Sequence, residues 1–157
     1  MKKLRVYLDT SVYNFAIDDS VPEERMFTLK LIEEIKGGRY EVFISEVAIL
    51  EINRAPEQRA VRLKDMIEQV NPENIELNQE AQELAKEYIE QGIIPKRYEN
   101  DALHIAVATV HDLDVIISWN FEHIVKMKTK RQVNAINTLL GYKGIDIYTP
   151  REVVENV

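Results

Sequence analysis

The chain has 157 residues, enough for one domain with a sizeable core. It has no cysteine, which excludes a disulfide scaffold, a Cys-ligated zinc site and a thiol nucleophile, and fits a reducing cytoplasm. Its formal net charge of -7 shows no overall basic footprint for nucleic acid, although cations cluster at Lys126, Lys128, Lys130 and Arg131 and at Lys96-Arg97.

The basic start Met1-Lys2-Lys3-Leu4-Arg5 leads into no apolar signal core, and no apolar run approaches the ~20 residues that span a bilayer. Leu4 to Leu8 alternates and is rich in strand formers, so it predicts a strand. Asp9-Thr10-Ser11 is a polar triplet suited to starting a helix, and a helical turn over 12–17 follows. After a loop at 18–20, Pro22 introduces a helix over 23–36, with Met26, Leu29, Ile32 and Ile35 at helical spacing and Gly37-Gly38 as its stop. Val42-Phe43-Ile44 predicts a second strand, and Ser45 caps a helix over 46–53 that carries Glu51 in its last turn. A helix from Pro56 to about residue 69, a brief strand over 75–77 and a helix over 79–91 come next. Asn100 precedes a helix over 101–111, which feeds an apolar strand over 114–118 and a turn over 119–122. A helix over 129–140, a strand over 145–148 and a helical turn from Pro150 complete the chain.

Strands alternating with helices imply an α/β fold, a three-layer sandwich with a mainly parallel sheet covered on both faces. No repeat or linker divides the chain, so residues 1–157 are expected to form a single domain. Ligands of such sheets bind beyond the carboxyl ends of the strands. Asp9 and Ser118-Trp119-Asn120 stand at such ends, Asp101 opens the helix that feeds the latter strand, and Glu51 lies on the helix after the second strand. Hard oxygen ligands of this kind suit Mg²⁺ or Mn²⁺, which activate water and neutralise phosphate without a covalent nucleophile.

Four ordered motifs carry a resemblance to the PIN-domain family. Leu8-Asp9-Thr10-Ser11 resembles its opening motif, and Ser45 through Ile52, with Glu51 near its end, resembles the second. Asn100 through Ala108 resembles the third, and Ile116-Ile117-Ser118-Trp119-Asn120-Phe121 the fourth, while Tyr148 through Glu152 is similar to the family's tail. The resemblance implies a divalent-metal-dependent endoribonuclease of the VapC-like group, with Asp9, Glu51 and Asp101 as metal ligands and these three plus Asn120 as the catalytic set. It also implies a cytoplasmic homodimer with an antitoxin partner. Asn120 departs from the aspartate common in the fourth motif, and Glu122 is a nearby acid that can compensate. The matching alternative is a weakened PIN-like module that binds RNA or protein without the fourth acid.

Other residues read as follows. Ser11 is a candidate for binding a metal-held water, and Lys126, Lys128 and Arg131 for phosphate contacts. Glu99 is a spare acid. His104, three residues after Asp101, reads as packed rather than catalytic, and His111 and His123 carry no signal. Trp119 reads as a core or interface residue rather than a base-stacking one. A phosphatase of the haloacid-dehalogenase type needs a second aspartate two residues after the first, where this chain has Ser11, and no receiver-type aspartate and lysine pair is evident.

Overall fold

The computed structural model describes residues 2–155. Five strands, β1 (Arg5–Leu8), β2 (Glu41–Ser45), β3 (Glu73–Ile75), β4 (Val115–Ile117) and β5 (Asp146–Tyr148), form one sheet in the order β3-β2-β1-β4-β5. Every pairing is parallel, with Tyr7 opposite Phe43 on one side and Ile116 on the other. The helices are α1 (Thr10–Ala16), α2 (Pro22–Lys36), α3 (Glu46–Asn53), α4 (Glu57–Val70), α5 (Gln79–Glu90), α6 (Glu99–Val110), α7 (Met127–Leu139) and α8 (Pro150–Glu155).

Strand side chains alternate between two cores. Val6, Leu8, Val42, Ile44, Val115 and Ile117 face α1, α2, α4 and α8, whereas Tyr7, Phe43, Ile116 and Ile147 face α5, α6 and α7. This is the expected α/β/α sandwich. Its strands are apolar on both faces because both faces are covered. None of the described helices is long and apolar enough to cross a membrane.

The differences from the sequence reading are local. The third strand lies at Glu73–Ile75 rather than 75–77, because it pairs its Glu73 and Asn74 with Phe43 and Ile44 at the sheet edge. The helix carrying Asp101 starts at Glu99, directly after a 3-10 turn at Lys96–Tyr98, so Asp101 sits inside its first turn. The penultimate helix begins at Met127, two residues earlier than its apolar periodicity indicates.

Chain order reverses direction across the sheet at β1, which has β2 on one side and β4 on the other. The carboxyl ends of β1 and β4 therefore border the crevice where open α/β sheets bind ligands. Asp9 follows β1 and Ser118 follows β4, and their separation of 109 positions in sequence closes to a single hydrogen bond.

Candidate functional site

Asp9 stands at the N-cap position of α1, but its side chain makes no capping bond. Its carboxylate instead accepts from Ser11 Oγ at 2.5 Å and from Ser118 Oγ at 2.7 Å. It is 3% exposed. Burial pushes its pKa up, against the attraction of His104 and the two serine hydroxyls. Ser11 also receives the backbone N–H of Trp119 at 2.8 Å, which locks the loop after β4 onto the start of α1.

His104 is the hub. It is 1% exposed and projects from α6 between β1 and α3. Its Nε2 lies 2.6 Å from Glu51 Oε1, and its Nδ1 lies 2.6 Å from Tyr7 Oη, which is 2.8 Å from Ser45 Oγ. Burial opposes a charge on the ring. The hydrogen bond to Glu51 and the attraction of Glu51, Asp9 and Asp101 outweigh it, so the His104 pKa is raised. Burial opposes the charge of Glu51 as well, yet His104 and the Thr10 hydroxyl, which donates at 2.9 Å, hold its pKa below the usual value. Both shifts favour the charged pair, and the imidazolium form of His104 donates through Nε2 to Glu51 and through Nδ1 to Tyr7. Tyr7 in turn donates to Ser45. The Glu51 side chain keeps 29% of its surface exposed, which lowers the desolvation cost of the pair.

Asp101 forms a second pair. Its Oδ2 lies 2.9 Å from His123 Nδ1, and Asn120 hydrogen-bonds the same carboxylate. Asn120 Oδ1 accepts the His123 backbone N–H at 3.0 Å, which leaves its amide to donate to Asp101. Burial raises the Asp101 pKa, partly offset by His104, Asn120 and His123. The His123 ring is 4.0 Å from that of Tyr98. Asn120 thus supplies a donor at a place where an aspartate would add a repelling charge.

The structure brings Asp9, Glu51, Asp101 and Asn120 to one edge of the sheet, around His104. It leaves Glu122 exposed, 3.7 Å from His123 Nε2, so that this ring stands between Glu122 and Asp101. Lys126, Lys128 and Arg131 are exposed on the first turns of α7. That helix starts at the same sheet edge, because it follows the loop leaving β4. Lys130 is committed elsewhere, 3.6 Å from Asp146 and over the Tyr148 ring.

The donor set does not match a divalent cation as it stands. Among the described residues no group of three or more His, Asp or Glu side chains is placed to hold a metal ion. Asp9 accepts from two hydroxyls, and a histidine takes one oxygen each of Glu51 and Asp101. His104 and His123 are the residues that the sequence reading passed over. One signal was available: His104 lies three positions from Asp101 on the same helix, where two side chains share a face. Nothing in the chain order pairs His104 with Glu51, 53 positions away.

A parallel sheet with an acidic, histidine-braced crevice at its switch point defines an α/β protein whose site is built from strand-end and helix-start polar residues. A model of the PIN domain matches residues 6–124, and the chain belongs to the PIN-domain family. Its fold is similar to solved VapBC structures. One is VapBC2 from Rickettsia felis bound to a DNA fragment from their promoter, at 15% identity, with 93% of this chain and 98% of that one covered and a TM-score of 0.59. Another is DNA-bound VapBC from Salmonella typhimurium, at 18% identity, covering 94% and 98% of the two chains with a TM-score of 0.54. Identities this low show the fold alone. No curated protein matches the sequence.

Proposed function

We propose that this protein is a single-domain PIN module that binds single-stranded RNA and cleaves it weakly. The observation that carries this reading is the 2.6 Å pair between His104 and Glu51, which occupies with a protein cation a carboxylate that a nuclease would leave to a metal. The Asp101–His123 pair at 2.9 Å and the amide at Asn120 act in the same sense. Replacing a metal by buried imidazolium keeps the acids together at low electrostatic cost. Two bare carboxylates ~4 Å apart would otherwise repel by about 4 kcal/mol at an effective dielectric of 20.

RNA as the ligand is supported by family membership and by Lys126, Lys128 and Arg131 on the site's edge of the sheet. These cations are concentrated there although the chain carries a formal net charge of -7. Likeness to VapBC assemblies supports an antitoxin-type protein as partner.

A second reading is the full Mg²⁺- or Mn²⁺-dependent endoribonuclease. It is favoured by the convergence of Asp9, Glu51 and Asp101 on His104, which feels all three charges. In that case Asp9, Glu51 and Asp101 would hold the metal.

One set of titrations tests the proposal. A mixed single-stranded RNA pool is bound in EDTA, and its integrity is followed in Mn²⁺. The expected result is salt-sensitive binding with little cleavage, and a log–log salt slope that is about 2 units shallower when Lys126, Lys128 and Arg131 are all alanine. Rapid Mn²⁺-dependent cleavage that disappears in Asp9→Asn/Asp101→Asn would favour the second reading. Absence of RNA binding would refute both.

A further inference from the structure

Trp119, the only tryptophan in the chain, is held on three sides. Its backbone N–H donates to Ser11 in the Asp9 network, its Nε1 donates to Thr28 Oγ1 at 2.8 Å, and its ring stacks on Phe15 with centroids 5.5 Å apart and an interplanar angle of 11°. Phe121 lies against it at 6.1 Å, tilted by 54°, and is 58% exposed. Three rings therefore run in a row that is anchored at the candidate site and bare at its outer end. Single exposed apolar side chains are ordinary on protein surfaces. This one extends an anchored aromatic row, and its rigid footing suits it to receive another flat ring.

Trp119 and Phe121 border a pocket of about 310 Å³ whose other walls include Glu23, Glu24, Phe27 and Arg151. Arg151 is occupied: it lies 3.5 Å from Glu23, 3.3 Å from Glu155 and over the Phe27 ring. The Glu24 carboxylate makes no hydrogen bond or ion pair among the described residues, and Glu24 is partly buried. A pocket with a free carboxylate repels phosphate and accepts hydrogen bonds from a donor edge. Of the RNA bases, guanine places two donors, N1–H and N2–H₂, side by side on its Watson–Crick edge and so matches the two oxygens of one carboxylate. Uracil offers a single donor flanked by acceptors.

We propose that this pocket is a base-binding subsite in which Phe121 stacks a guanine of single-stranded RNA and Glu24 accepts hydrogen bonds from its Watson–Crick edge. The subsite rests on the RNA-binding reading above and gives it a substrate preference. Stacking against an aromatic side chain is how sites commonly take up an unpaired base, and edge contacts supply the selectivity.

The test is a fluorescence-anisotropy titration of labelled UUGUU and UUUUU pentamers in EDTA, with Trp119 emission recorded in parallel and folding of each variant checked by its melting curve. Wild type binds UUGUU more tightly than UUUUU, with a change in Trp119 emission. Phe121→Ala weakens UUGUU binding by about tenfold, the scale of one lost stack, and Phe121→Trp preserves it. Glu24→Gln removes the guanine preference, by about tenfold for a bidentate contact, while UUUUU is bound at least as tightly as by wild type because a repelling charge is gone. Equal affinity of Phe121→Ala and wild type for UUGUU overturns the subsite while RNA binding stands. If the wild type binds neither pentamer nor pooled RNA, the RNA-binding reading falls and takes the subsite with it. Should Phe121→Ala instead disrupt only association with a protein partner, the patch is a protein contact and the subsite is refuted.

Discussion

At the residue scale the site depends on which proton donor each acid receives. His104 has a raised pKa in the folded protein, because the pull of Glu51, Asp9 and Asp101 exceeds the burial penalty. Its contribution to stability is complete below its unfolded value of 6.5 and is lost as pH rises through the folded value. Asp9 and Asp101, whose pKa values burial raises, add to the loss, since ionising them costs more in the fold than in the unfolded chain. Glu51 has a lowered pKa and works at the other end, with stability that is lost only as pH falls below its ordinary value of 4.5. The metal-free protein is therefore expected to melt at lower temperature as pH rises above 6.5 and through the raised pKa of His104. His104→Gln is expected to flatten that decline, and equal slopes in the two proteins would contradict a charged hub. Asp9 and Asp101 were legible in the sequence as strand-end and helix-start carboxylates, and Glu51 through the resemblance of its helix to the second motif. Their histidine partners were not, because burial and long-range pairing, rather than any local pattern, give His104 and His123 their roles.

At the element scale, short connections fix the geometry. β2 passes straight into α3 at Ser45, whose Oγ caps the helix by accepting from Val47 N–H at 3.2 Å and also receives Tyr7, the outer support of His104. Asn78 caps α5 in the same manner, accepting from Ala81 N–H at 2.9 Å, with no link to the site. Asn78→Ala is expected to cost about 1 kcal/mol, and Ser45→Ala about 2 kcal/mol, since the latter also leaves the buried Tyr7 hydroxyl without its acceptor. Urea denaturation measures both, and equal losses would show that the Tyr7 link carries no energy. The Ser45 cap was readable from sequence, because Ser before an apolar-periodic run has a local physical meaning. The start of α6 was not: Asp101 looks like a helix opening, but the 3-10 turn at Lys96–Tyr98 feeds the helix two residues earlier. The third strand was also misplaced, since an edge strand of three residues takes its register from its neighbour rather than from its own pattern.

At the scale of the whole molecule, alternation of strands and helices was sufficient to give the sandwich, and the reversal of strand order at β1 explains why residues as distant as Asp9 and Ser118 meet. Strand order itself has no sequence signature, so convergence of the acids was expected from strand ends and only the sheet supplies the reason. The same architecture that gathers four polar positions into one crevice also supplies them with internal partners, and on the proposed reading this is what separates a binding module from an efficient nuclease. Asn120 is where the two diverge, since its amide neutralises a position that an acid would charge. The decisive measurement is single-turnover cleavage of a single-stranded RNA pool in Mn²⁺ by wild type and Asn120→Asp, with binding recorded alongside in EDTA. Both are expected to bind RNA, wild type to leave it largely intact, and Asn120→Asp to cut it. Wild type cutting as fast as Asn120→Asp would contradict the proposed reading.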